Sequence, residues 1–420
     1  MSPSPQPASP PNAAPNQVPS GLGMIEFVAL MAMLISLTAV AIDIMLPALP
    51  QIAEAYGFQS TTHAQWVLAI YLMGFALGQF VMGSLVDRFG RRGPLLAGLA
   101  VYTLGSLLVL VAPDHTWMLL GRLVQGIACA APRVAAQATV RDCFTGRQMA
   151  RVMSLVMMAF ILVPVVAPAV GQGLMLISSW QAIFVALCLF GIGMALWVYI
   201  RLPETLAPER QRPLKVSNVM GAIGDFLSRR ICVGYTLCIG CAFGGLLGYV
   251  NSSQQIFVEV YDVEALYPVL FGIVALAMAA ASFVNSVLVE RLGMRLLSHG
   301  MMAAMVATTL VLASLALAGS MNLWVFVLGQ MLILFQIGMI VPNVTALAME
   351  PVGHIAGSAA AFMGGLSTLL ASVLGVIIGQ LFDGSVVPLL AGCFAFSLMG
   401  FALMAWAEQG RLFTPANRAA

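Results

Sequence analysis

The chain has 420 residues, 61% of them apolar and 8% charged, with a formal net charge of +2 and a mean hydropathy of +0.98. A water-soluble domain carries roughly 25% charged residues, so this composition excludes a soluble enzyme or a nucleic-acid binder and places the chain in lipid. A span needs about 20 apolar residues to cross about 30 Å of hydrocarbon, with its backbone groups bonded inside a helix or a closed barrel.

In chain order, residues 1–23 are rich in proline and, through residue 20, lack any basic residue. They have neither the charged start nor the small-residue cleavage site of a secretory signal, and read as a disordered cytoplasmic tail. Apolar runs near 24–47, 64–86, 94–112, 116–139, 152–177 and 181–201 then predict six spanning helices. A second set lies near 230–255, 267–289, 294–318, 321–347, 357–381 and 386–406. These runs are too long for barrel strands, which take about ten residues. The expected fold is all-α, two six-helix bundles at 24–201 and 230–406 joined by a linker at 202–229, with a second cytoplasmic tail at 407–420. The segment GSLVDRFGRR after span two and its weaker copy SVLVERLGMR after span eight lie half a chain apart, so the two halves read as one repeated plan.

Cations set the orientation, because short cytoplasmic loops carry the excess Lys and Arg. Arg88, Arg91, Arg92, Arg141, Arg147, Arg151, Arg291 and Arg295 all fall on one side of the expected topology, and the opposite loops carry Glu54, Glu259, Asp262 and Glu264 without Lys or Arg. Both termini are therefore expected in the cytoplasm, with the chain multi-pass in the cytoplasmic (inner) membrane. The seven cysteines lie in or beside spans with no pairing set or CxxC spacing, and the four histidines form no HExxH. No metal site, cofactor or structural disulfide is expected.

Ionisable residues inside a membrane mark pathways or partners, each at about 2.5–3.5 kcal/mol at mid-span. Asp43 late in span one and Arg122 early in span four share the outer third of the membrane. A nearby cation favours the carboxylate and burial favours the neutral acid, so a change in hydration could switch the protonation of Asp43. A static ion pair holding the two spans together is the competing reading. On span four, Gly126, Cys129 and Arg133 wind onto the side of Arg122, with Gln125 flanking. Arg133 lies about 16 Å deeper, either lining a wet cavity or reaching back to the headgroups. In span five, Pro164, Pro168, Gly171 and Gly173 predict a kinked, closely packed helix.

In the second half, Tyr249, Asn251, Gln254 and Gln255, then Asn285, then Phe335, Gln336 and Asn343 interrupt apolar runs with polar or aromatic groups. They read either as helix–helix contacts or as a lining suited to neutral or cationic amphipathic compounds.

These motifs resemble the major facilitator superfamily, and within it the twelve-span drug:proton antiporters of the bicyclomycin- and chloramphenicol-resistance type. Gly83, Leu85, Asp87, Arg88, Gly90, Arg91 and Arg92 match the family's cytoplasmic loop motif. Arg122, Gln125 and Gly126 match its span-four motif, and Asp43 with Leu46–Pro50 its span-one pattern. The span-five antiporter motif is met with departures, Ala167–Pro168 and Gly171–Gln172–Gly173 standing for Gly-Pro and a Gly-Gly pair.

The resemblance implies a carrier whose halves rock around a central site, working as a monomer on a small-molecule substrate with the proton as coupling ion. Asp43 would carry the proton and Arg122 would tune it. Gln125, Arg133, Tyr249, Asn251, Gln254, Phe335, Gln336 and Asn343 would line the substrate cavity. Gly83, Asp87, Arg88, Gly90, Arg91, Pro168 and Gly171 would form the conformational gate, Asp87 meeting the start of span eleven near Gly357 and Ser358 while Arg88, Arg91 and Arg92 anchor to headgroups. The expected function is proton-coupled efflux of drugs or other small organic molecules; the alternative is a proton-coupled transporter of one metabolite on the same fold. A receptor or an intramembrane enzyme fits less well, with no signalling domain outside the spans and no histidine at mid-span.

Overall fold

The computed structural model describes residues 18, 19, 21–58, 61–207, 211 and 216–413. Most of the expected tail at 1–23, part of the linker and the end of the second tail lie outside the described residues.

Among the described residues, twelve long helices follow in order: α1 Met24–Asp43, α2 Trp66–Phe89, α3 Arg92–Leu110, α4 His115–Cys143, α5 Gly146–Ile177 and α6 Gln181–Arg201. Then come α7 Arg230–Gln255, α8 Tyr267–Leu292, α9 Met294–Leu317, α10 Leu323–Met349, α11 Ala356–Gln380 and α12 Val387–Ala407. By length and apolarity alone, eleven segments among the described residues qualify as spans and α4 does not. Arg122, Arg133 and Arg141 lower its hydropathy, and it tolerates them because it packs against α1, α2 and α3 instead of lipid alone.

Pairwise packing repeats after six helices. The contacts α1·α5, α2·α4, α3·α4, α3·α6 and α1·α4 recur as α7·α11, α8·α10, α9·α10, α9·α12 and α7·α10. The halves meet along α2·α11 and α5·α8, which are again exchanged by the same shift. Local signals repeat too. Asp114 caps α4 through the N–H groups of Thr116 and Trp117, and Asn322 caps α10 through that of Val325, each satisfying donors that a helix start leaves free. Both copies of the loop motif turn on a glycine in the left-handed region, Gly90 at φ +86° and Gly293 at φ +78°.

Three departures from the sequence expectation have local causes. Helix α1 stops at Asp43, short of 47, and Leu46–Ala48 forms a single 3₁₀ turn because Pro47 has no N–H to continue the ladder. Helices α4 and α5 run past the apolar limits read for them, carrying Arg141, Asp142, Arg147 and Arg151 on turns that the charge of the sequence had excluded from the spans. The linker contains a helix, Val216–Ser228, that buries Ala222 and Phe226 and leaves Met220 and Leu227 exposed. Phe226 meets Phe362 of α11 edge-on.

Candidate functional site

Asp43 ends α1 with 5% of its surface exposed. Among the described residues it has no hydrogen-bond or ion-pair partner. The next residue, Ile44, offers its carbonyl to the bare Cα face of Gly171 in α5, where any Cβ would collide with it. Gly171 is thus required by backbone approach, and it brings the proline-bearing stretch of α5 against the helix end that carries Asp43. Across the seam between the halves, Asp43 lies within electrostatic reach of the Tyr267 phenol of α8.

The expected pairing of Asp43 with Arg122 is not formed. Arg122 is fully buried inside the first bundle. Its Nε donates to the Val67 carbonyl (3.1 Å), its Nη1 to Gln125 Oε1 (2.5 Å) and its Nη2 to the Ala41 carbonyl (3.2 Å). The guanidinium stacks over Tyr71 at 4.3 Å, with Phe184 at 5.9 Å. A planar, weakly hydrated cation suits a cage of rings and carbonyls, and the Ala41 bond ties it to α1 two residues before Asp43.

The polar stripe of α4 also faces helices more than open space. Gln125 has no exposure and donates to Ser106 Oγ at 2.6 Å; it belongs to the bundle interior, not to a cavity wall. Gly126 abuts the Tyr71 carbonyl, and Cys129 Sγ lies 3.2 Å from Thr38 Oγ1. Arg133 is half-buried, with its guanidinium 5.7 Å from the Phe75 ring centre.

In the second half, Tyr249 stacks on Phe271 at 5.6 Å. The Tyr249 hydroxyl, Asn251 Oδ1 and Gln254 Oε1 are buried without partners among the described residues. Gln336 donates to Thr308 Oγ1 of α9 (3.0 Å), and Asn343 to Asn285 Oδ1 of α8 (2.6 Å). Both amides therefore make contacts within their own bundle, where the sequence reading had them lining a cavity. Phe335 is half-buried. At the end of the molecule opposite the loop motif, Gln65 Nε2 donates to Gln255 Oε1 across the two halves (2.7 Å, buried). Sequence reading missed Gln65, because a lone glutamine before a span has no local signature.

At the motif end, Gly83 faces Ala361 and Asp87 faces Gly357 of α11. Phe80 packs on Phe362 (5.6 Å), and Ser84, Ser358 and Ile223 of the linker helix complete the cleft. Arg88 is exposed. Arg91 was expected at the headgroups but is 4% exposed. Its Nη1 donates to Asp87 Oδ1 and its Nε to Asp142 Oδ2, both at 2.8 Å. Glu204 accepts from the backbone N–H groups of Arg91 (2.8 Å) and Arg92 (3.0 Å), and its carboxylate fills the space that a Cβ on Gly90 would need. Arg92 turns onto Tyr199, donating to its carbonyl at 2.6 Å. The sequence reading named neither Asp142 nor Glu204, since both lie far along the chain from the loop they hold.

The second copy makes a related clasp from the neighbouring position: Arg295, at the place of Arg92, donates from Nε to Glu408 Oε1 (3.0 Å), and its Nη2 lies 3.9 Å from Glu350. Another residue that sequence reading passed over is Gln330, fully buried in α10 with both amide atoms unpartnered among the described residues. It follows Gly329 as Arg122 follows Gly121, so it marks the Arg122 position of the second half.

A family model described as Major Facilitator Superfamily matches residues 30–376. An uncharacterized MFS-type transporter, YdgK of Bacillus subtilis, is 32% identical over 91% of this chain and 95% of its own. A bicyclomycin resistance protein homolog of Haemophilus influenzae is 26% identical over 89% and 95%. Among solved structures, a D-xylose–proton symporter superposes with a TM-score of 0.72 at 15% identity, covering 93% of this chain and 97% of that one, a likeness of fold.

Proposed function

The chain belongs to the major facilitator superfamily, and we propose that it is a proton-coupled exporter of drugs or other small organic compounds working by alternating access. It acts as a monomer in the inner membrane, with both termini in the cytoplasm, and the loop-motif end is the cytoplasmic end.

The observation that carries this reading is the isolation of Asp43. A carboxylate taken from water with neither a cation nor a donor loses several kcal/mol of solvation, and a proton removes that penalty. Asp43 sits where α1 meets α5 and faces α8 across the seam, so movement of the halves changes its access to water. One arrangement therefore holds the proton and the other releases it. Arg122 does not neutralise Asp43; it fixes the end of α1 through the Ala41 carbonyl. The relative named for bicyclomycin resistance supports a drug as substrate. Substrate and proton then couple by favouring different states, with reciprocal effects on affinity.

In inverted membrane vesicles, the wild type should take up substrate against its gradient when the lumen is acid, and Asp43→Asn should lose uphill movement while still equilibrating substrate. Uphill transport by Asp43→Asn at the parent rate would end this assignment.

A further inference from the structure

A second charged cleft, of about 500 Å³, opens at the motif end of the second half between the start of α7, the end of α12 and Pro351. Three arginines line it, Arg229, Arg230 and Arg411, against one carboxylate, Glu408. That carboxylate is already engaged, accepting from Arg295 Nε and from the Tyr235 hydroxyl (2.5 Å). Arg229 shares Asp225. Arg230 stacks on Trp406 at 4.9 Å and donates to its carbonyl, and Arg411 has no side-chain partner among the described residues. The first turn of α7 begins in the same cleft with no side chain capping it, adding the positive end of the helix dipole.

The fold holds Arg411 in place. The segment after α12 takes two successive left-handed residues, Gln409 and Gly410, and is then tied down by His299, whose Nδ1 accepts the Phe413 N–H at 3.1 Å. That leaves the proton on His299 Nε2, which faces the Tyr235 hydroxyl at 3.0 Å. Tyr235, His299, Glu408 and Arg295 form one buried or half-buried network beneath the cleft. Exposed apolar groups flank it, Trp406 at 44% and Leu227 at 50%, the latter on the linker helix whose other face is packed on the bundle. Cations beside an exposed tryptophan at the ends of spanning helices are at headgroup depth.

We propose that this cleft binds the phosphate of an anionic phospholipid, with Arg230 and Arg411 on the phosphate oxygens and the acyl chains along Trp406 and Leu227. The assignment is independent of what the protein transports and of the direction of transport.

The test uses the full chain in a neutral detergent, titrated with phosphatidylglycerol, phosphatidylcholine or inorganic phosphate at fixed ionic strength. Lipid retained is read by native mass spectrometry and stabilisation by thermal unfolding. Phosphatidylglycerol should be retained over phosphatidylcholine, and each of Arg230→Ala and Arg411→Ala should weaken it about fivefold, the double variant about twenty-five-fold. Arg411→Lys should recover most of the loss, and Arg141→Ala, an exposed cation at the same end of the other half, should change nothing. Undiminished retention in the double variant, or an equal loss in Arg141→Ala, would overturn the proposal. Protection by inorganic phosphate alone, abolished by the same two substitutions, would reassign the cleft to a soluble phosphate compound and overturn the lipid.

Discussion

Arg122 and Asp43 lie on neighbouring helices, and whether they act on each other directly is measurable by a double-mutant cycle on stability. The perturbations are Arg122→Met and Asp43→Asn, alone and together, with Arg122→Met and Tyr71→Leu as a second cycle. Removing one partner of a buried ion pair typically costs about 3–5 kcal/mol, most of which reappears as coupling in the cycle. Arg122 has no carboxylate contact; its bonds go to two carbonyls and an amide, and its face to Tyr71. The Asp43 cycle should therefore couple by less than about 1 kcal/mol, the range of near-additive sites. A desolvated cation over a ring is worth about 2 kcal/mol, so the Tyr71 cycle should couple by about 1–2 kcal/mol. Equilibrium unfolding of the purified protein in detergent, followed by near-ultraviolet circular dichroism, gives both numbers. An Asp43–Arg122 coupling of about 3 kcal/mol or more would mean that the two groups are bonded and that the isolated carboxyl is wrong.

Three further outcomes follow from the same contacts. Arg91→Gln should destabilise by about 3 kcal/mol, because it strips the cation from Asp87 and the mostly buried Asp142, and Arg295→Gln should cost a comparable amount by stripping the cation from Glu408, 11% exposed; denaturant midpoints in detergent that left either variant at the parent value would refute the reasoning. Gly171→Ala should push α5 off the Ile44 carbonyl at about 1–3 kcal/mol and reduce transport by a fold that still assembles; a variant indistinguishable from the parent in both stability and flux would remove the close approach from the mechanism. Gln330→Met should be neutral or stabilising by about 1–2 kcal/mol, since it replaces two unpaired buried amide atoms with an apolar chain of similar length; a clear loss of thermal stability would show that the amide is partnered in the membrane.

The spans were legible because hydropathy and loop charge are local, and the repeat because two copies of a ten-residue motif carry it. Even α4, too polar to qualify as a span on length and apolarity alone, was read as a span from its apolar run at 116–139 despite its arginines. The site was legible in depth but not in azimuth and partner. Asp43 and Arg122 share a level of the membrane, yet the guanidinium turns toward α2 and its Tyr71 while the carboxyl faces the seam. The stripe of Gly126 and Cys129 was correctly wound onto one side of α4, but a line of small and polar residues looks the same whether it faces water or the carbonyl of Tyr71. Asp142 and Glu204 were invisible for a different reason. Their partner is the loop at Gly90–Arg92, and no periodicity within a helix end points to a loop so far away in the chain.

The two halves have kept a related clasp and diverged in buried charge. Asp142 and Glu204, which hold Arg91 and the loop backbone in the first half, have their counterparts in Glu350 and Glu408, which meet Arg295 at the place of Arg92 while Met294 stands at that of Arg91, so the helix ends at the motif end of each bundle are tied by related but shifted contacts. The Arg122 position, however, is occupied in the second half by the neutral Gln330. On the mechanism proposed above, a rocking motion of two alike bodies would read its proton in one of them. One carboxyl is enough for that. Moving a two-state equilibrium from 1:99 to 99:1 takes about 5.5 kcal/mol, and the desolvation of an unpaired carboxylate is several kcal/mol. A second titrating group in the other bundle would add little to the switch and would impose a second proton per cycle. The same reasoning accounts for the neutrality of the second half's interior, where Asn251, Gln254 and Gln336 leave acceptors open without adding a charge that the membrane would have to hold.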